Sequence, residues 1–168
     1  WNDQHGRRRG LLCGDGVVPR EEALEHGVAV FVFDSLGLNN GECGVAIFEL
    51  FELTREPKYL ASARQAADWA LTRPLVANWN YNSFSVYLLA KAYEVTSEER
   101  YLTAATKKAV IGVISGQLTE GSRAGCWLDP HNARPAYHYI MLRGLAQLAA
   151  VMPKNDSARS EIIRALRL

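Results

Sequence analysis

The chain has 168 residues, long enough to bury one core, and Lys plus Arg (19) nearly balance Asp plus Glu (18) at a net charge of +1. No global field therefore points to nucleic acid or to an anionic membrane surface, and no apolar run approaches the roughly 20 residues a membrane span needs. Cys13, Cys43 and Cys126 are odd in number and form no CxxC pair, so neither a disulfide framework nor a zinc knuckle is expected; a Cys13–Cys126 bridge between Gly-rich loops stays open.

Trp1 to Val18 is polar and Gly-rich and reads as a loop with a short strand at Leu11-Leu12. Its Arg7-Arg8-Arg9 run reads as a solvated loop. The chain opens at Trp1 without Met or a signal-peptide pattern, which reads as a piece trimmed from something longer. Pro19, with Glu21 and Glu22 in the first turn, predicts a helix to about Leu36, ended by Gly37-Leu38-Asn39-Asn40-Gly41. A second helix, Glu42 to Leu53, carries Val45, Phe48 and Phe51 at helical spacing. Pro57 opens a third helix that runs to about Thr72, where Arg73-Pro74 stops it.

Leu75 to Asn82 reads as a loop around Asn78-Trp79-Asn80-Tyr81-Asn82, followed by a fourth helix to about Val95. Thr96 with Glu99 fits a capping box ahead of a fifth helix that reaches about Ile114, with Ser97 the alternative cap. Gly116 to Asn132 is again loop, a sixth helix covers about Ala133 to Val151, and Asn155 or Asp156 caps a seventh.

Glu52-Leu53-Thr54-Arg55-Glu56-Pro57-Lys58-Tyr59-Leu60 recurs 42 residues later as Glu94-Val95-Thr96-Ser97-Glu98-Glu99-Arg100-Tyr101-Leu102. Val151 to Ile162 reads as a third, degenerate copy. That self-similarity predicts helical-hairpin repeats. The second, fourth and sixth helices are apolar nearly all round, and the third, fifth and seventh carry a charged face, which predicts an inner layer wrapped by an outer one. The expected fold is all-α, a single domain over 1–168 of about seven helices forming a partial (α/α) toroid.

Alternating hairpins place the long loops, Leu38–Gly44, Leu75–Ser83 and Gly116–His138, on one rim, each feeding the N-terminus of an inner helix. Unpaired N–H groups and positive dipole ends there suit an oxygen-rich ligand. Flat aromatics beside amides, carboxylates and guanidinium groups are what a sugar ring requires. The candidate binding residues are Trp79, Asn80, Tyr81, Asn82, Trp127, Asn132, Arg134, Tyr137 and His138. Candidate acids and bases are Asp129, His131 and Glu42. Each has a plain structural reading as well. The asparagines serve turns and caps, Trp79 and Trp127 anchor loops, Asp129 caps or braces, His138 is a core histidine, and Arg143 pairs with a carboxylate such as Glu49. Asp129, His131 and His138 lack HxxxH or HExxH spacing, so no metal is expected. No Walker or dinucleotide Gly loop precedes a helix, so no cofactor is expected either. Cys126 reads as a structural thiol.

Ala90-Lys91-Ala92-Tyr93-Glu94-Val95-Thr96-Ser97-Glu98-Glu99-Arg100-Tyr101-Leu102 resembles the hairpin turn of six-hairpin (α/α) toroid glycosidases and their relatives. Arg143-Gly144-Leu145 through Met152-Pro153-Lys154-Asn155-Asp156-Ser157-Ala158-Arg159 resembles the closing hairpin of unsaturated glucuronyl and rhamnogalacturonyl hydrolases. The resemblance spans Gly41 to Leu168. It implies a glycoside hydrolase-like, lyase-like or epimerase-like protein of the periplasm or exterior, with an oligosaccharide ligand rich in uronic acid. Asp129 would then be acid or base, His131 and Arg134 would hold a sugar carboxylate, and Trp79, Tyr81 and Trp127 would stack on sugar rings. The aspartate with which those hydrolases protonate their substrate maps onto no position here, and the chain supplies about three and a half hairpins of six. A missing half-ring, a homodimer that completes the wall, or an open arc each accommodate that count. The competing expectations are a non-catalytic helical-repeat interaction module and a structural half-domain.

Overall fold

A computed structural model describes residues 12–13, 16–17 and 28–168, with side-chain surroundings from residue 40 onward. The chain divides into two compact units, Trp1–Leu36 and Gly37–Leu168. In the first, β1 (Leu12–Cys13) pairs antiparallel with β2 (Gly16–Val17) through Leu12 with Val17 and Cys13 with Gly16. The short strand expected at Leu11-Leu12 is thus present at Leu12, while Leu11, the Arg7–Arg9 run and the expected helix start at Pro19 lie outside the described residues.

The described helices are α1 (Val28–Thr54), α2 (Pro57–Thr72), α3 (Trp79–Thr96), α4 (Glu99–Gly112), α5 (Pro135–Val151) and α6 (Arg159–Arg167), with a short 3-10 turn at Ile114–Gly116. The fold is all-α apart from the two-residue ladder. Six helices appear among the described residues where seven were expected, because α1 continues through Gly37–Gly41 without a break. The reason lies in packing. A Cβ on Gly41 would stand 2.8 Å from Phe84 Cβ, and one on Gly44 would stand 2.7 Å from a Leu88 methyl. These glycines let α1 approach α3 closely; they do not end the helix. Asn40, expected in a loop, donates from its side chain to the Ala66 carbonyl of α2 at 2.9 Å.

Within Gly37–Leu168 the helices pack in two layers. α1, α3 and α5 lie side by side, α3 touching α1 at the glycines above and α5 at Gly144, where a Cβ would come within 2.4 Å of Ser83 Oγ. α2, α4 and α6 form the second layer, each packed on a neighbour of the first. Phe48, Leu88, Leu89, Met141, Leu145 and Ile162 are fully buried between them. This is the layering expected from the apolar and half-charged helices.

Two hairpin turns share one construction. Thr54 Oγ1 donates to the Leu50 carbonyl and accepts from Glu56 N–H; Thr96 Oγ1 donates to the Ala92 carbonyl and accepts from Glu98 N–H. Arg55 (φ 60°) and Ser97 (φ 57°) both occupy the left-handed region, and each N–H bonds back at 2.7 Å, to Phe51 and Tyr93 respectively. The expected capping box at Thr96 and Glu99 is therefore replaced: Thr96 ends α3, Ser97 is its left-handed C-cap, and Glu98 precedes α4 without a side-chain cap bond. In the third copy Met152 closes α5 with extended backbone, and Asp156, one of the two expected caps, accepts from Ala158 N–H at 2.9 Å just ahead of α6.

The outer layer is tied across hairpins by Tyr101, which is fully buried and donates to Asp68 at 2.8 Å. Burial, then that bond, pushes its phenol up to about 12. Buried Lys108 donates to the Arg73 carbonyl at 2.7 Å just beyond α2, where the negative end of the helix dipole favours a cation. Burial pushes its ammonium down from the ordinary value, and Lys107 adds to the effect.

Candidate functional site

The long connections sit at the end of the hairpins opposite these turns. Between α2 and α3, Asn78 accepts from Asn80 N–H and caps α3, so the helix starts at Trp79, earlier than expected. Asn82 is 3% exposed, accepts from Val76 N–H and donates to the carbonyls of Val76 and Gly112. It braces the connection from inside. Trp79 fills the space left by Gly116, where a Cβ would lie 2.4 Å from the indole.

The connection between α4 and α5 is ordered by its own ladder. Leu118 N–H bonds the Cys126 carbonyl, Gly125 N–H bonds the Leu118 carbonyl, and Leu128 N–H bonds the Gly116 carbonyl. Gln117 donates to the carbonyls of Gly125 and Ala165, fastening the loop to α6. Trp127 is fully buried and donates from its indole to the Val113 carbonyl at 2.8 Å. His138 meets it edge-on, ring centroids 5.1 Å apart. Expected as a stacking platform, Trp127 is instead the loop's anchor and offers no face to a ligand. Cys126 beside it is a free thiol, as is Cys43; the side chain of Cys13, the other half of the bridge left open by the sequence, lies outside the described residues.

Beyond Trp127 the sequence-predicted residues do gather. Asp129 accepts from the Asn132 N–H at 2.9 Å and from its side-chain amide through both oxygens. Asn132 in turn accepts from the Asn80 amide at 2.9 Å. Asn80 and Asn132 are both buried, so the two form a bridge from the loop to the start of α3, not exposed sugar contacts; the Asn80 Oδ1 is left without a partner. Burial alone would push the Asp129 carboxyl up, but the bonds from Asn132 and the backbone N–H of His131 outweigh it and hold the carboxyl below its ordinary value. Exposed His131 stacks on the Tyr137 ring at 4.2 Å, with Arg134, also exposed, immediately before Pro135 at the start of α5. Tyr81 is half-buried in the first turn of α3. Among the described residues no group of three or more His, Cys, Asp or Glu side chains is placed to hold a metal ion.

Glu42 stands apart from this cluster. It lies on α1 and pairs with Arg143 of α5, taking the place expected for Glu49. The Arg143 guanidinium carbon lies 4.5 Å from the Tyr87 ring centroid and 5.8 Å from that of Tyr139. Burial pushes Arg143 down from its ordinary value. One turn further along, Lys91 bridges Glu52 at 2.7 Å and Glu94 at 2.9 Å, and Gln147 donates to Glu94 at 2.9 Å. This polar stripe across α1, α3 and α5 went unrecognised in helices read as apolar all round. Its signal was present in the spacing of Tyr87, Lys91 and Glu94 and of Tyr139, Arg143 and Gln147, which share helix faces.

Compared with known proteins, the chain matches no family model, no curated protein and no solved structure. No described helix is long and apolar enough to cross a membrane.

Proposed function

We propose that Gly37–Leu168 is a carbohydrate-binding helical-hairpin domain, similar to part of an (α/α) toroid, that holds a uronic-acid-containing oligosaccharide at the connection ahead of α5. The observation that carries this reading is the exposed His131 ring stacked on Tyr137, flanked by Arg134 and by the charged Asp129. A flat platform serves the apolar face of a sugar, Arg134 serves a sugar carboxylate, and Asp129 accepts from hydroxyls. Trp79 and Tyr81 are half-buried in the first turn of α3, whose Asn80 is tied to this loop through Asn132, and His138 follows Tyr137 on α5. The arrangement supports binding more directly than hydrolysis. An Asp129 held ionised accepts a proton but does not supply one, and Glu42 is committed to Arg143, so a glycoside hydrolase acting here would draw its acid from His131.

Calorimetric titration with neutral and uronic-acid oligosaccharides tests the proposal. Saturable binding of the uronic series, lost in Tyr137→Ala and weakened in Arg134→Gln, is the expected result. Absence of binding across the panel by a protein with an unaltered circular-dichroism spectrum overturns it. One observation favours a second reading, a non-catalytic helical-repeat interaction module: the charged and tyrosine-bearing stripe along α1, α3 and α5, with Tyr139 63% exposed. That module responds to no saccharide.

A further inference from the structure

We propose that the open face of α1, α3 and α5 carries a second binding site, centred on Arg143, for a monocarboxylate whose body presents a flat apolar surface. The site goes beyond the saccharide reading and shares none of its residues, Glu42 being held by Arg143 away from that cluster. A guanidinium offers five N–H donors in a rigid fork and stacks on aromatic rings. Arg143 lies over Tyr87 and Tyr139, yet its only hydrogen-bond partner among the described residues is Glu42, through Nη2. Its Nε is buried and unpartnered. A buried donor left unmet is costly, and the Glu42 carboxylate meets only one donor of the fork. A carboxylate set edge-on to Nε and Nη2 would satisfy both at once. The Glu42 side chain is 41% exposed and can swing into solvent as the ligand enters.

The surroundings select the ligand. Tyr139, 63% exposed and one turn before Arg143 on α5, offers its ring to an apolar body. Lys91, a second cation on this face among the described residues, is already held between Glu52 and Glu94. Burial and the nearby carboxylates of Glu49 and Glu94 push the Tyr87 phenol up against the opposing Lys91, so carboxylates outnumber the ammonium beside this ring. A multiply charged anion such as phosphate is therefore disfavoured relative to a single carboxylate. A sugar acid and an aromatic acid share the required chemistry, and the test separates them.

The experiment follows the arginine Nε–Hε and backbone amide resonances of the full chain by NMR. Sodium acetate, glucuronate, benzoate and phosphate are titrated in turn, with sodium chloride at equal ionic strength as reference. Saturable shifts at Arg143 with the carboxylates, and weaker ones with phosphate, are expected. Glu42→Gln should tighten acetate binding by about tenfold, because the competing carboxylate is removed. Tyr139→Ala should weaken whichever of glucuronate and benzoate is the better ligand several-fold and leave acetate unchanged; the preference between the two identifies the source. Shifts no larger than those given by chloride overturn the site, and an affinity unaltered in Glu42→Gln overturns the displacement. Both substitutions are on the solvent side, and neither touches the His131–Tyr137 platform, so this site and the saccharide site fail independently.

Discussion

The two ends of the hairpins are built by different physics. At one end the turns after α1 and α3 repeat bond for bond: a threonine that ends one helix and receives the N–H two residues on, and a left-handed residue between them. All of their partners lie within a few residues. At the other end the connections share nothing. One is braced by Asn82 and the other by Trp127, Gln117 and the Asp129–Asn132–Asn80 chain, with partners up to 52 residues distant. Local chemistry suffices for a short reversal, whereas a long connection must borrow order from the core. Residues that look like ligand-binding groups in a long loop are for that reason often already occupied.

Removing the anchor of a long connection should therefore cost most. Trp127→Ala empties a fully buried site and removes the indole donor from the Val113 carbonyl, which keeps only the Gly116 N–H at 3.3 Å, for an expected loss of about 3–5 kcal/mol by chemical denaturation. Asn82→Ala leaves three backbone groups unmet and should cost about 2–3 kcal/mol. If either loss falls below that of an ordinary surface substitution, the long connections do not depend on the core as described. At the short turns the sign reverses. Arg55→Gly and Ser97→Gly relieve a left-handed backbone and should each stabilise by about 0.5–1 kcal/mol. Equal gains would confirm that the two turns are energetic as well as geometric copies.

The smallest effect is expected from pH. The folded Asp129 carboxyl lies below its ordinary value of 3.8, so its bonds to Asn132 contribute stability that is fully present above that value. This contribution is lost as pH falls through the lower folded value. Asp129→Asn should flatten the stability profile in that acid range alone; a mutant profile that still falls as steeply there would show that other carboxylates carry it. Asp129 is partly open to solvent, which keeps the contribution modest.

Much of this architecture is legible before any coordinates. Pro57 marks the start of α2 because a first-turn proline loses no internal bond, and Arg73-Pro74 marks its end. The 42-residue recurrence of Thr54 at Thr96 and of Tyr59 at Tyr101 announces the hairpins and their shared turn. Alternation of apolar and half-charged helices announces two layers. Such signals are local, and a helix interior or a tight reversal is decided locally.

Tertiary structure decided the rest. Gly37–Gly41 carries the composition of a break, yet α1 passes through it, because Gly41 and Gly44 are needed where Phe84 and Leu88 press closest. Composition shows what a glycine permits and not which permission the neighbours use. Trp127, Asn80 and Asn132 have the chemistry of a sugar site, but the side of the loop that faced the core took them inward. Arg143 needed a carboxylate from its sequence context alone. That the carboxylate is Glu42, and that one donor of the guanidinium remains unmet, follows from how α1 and α5 lie across α3.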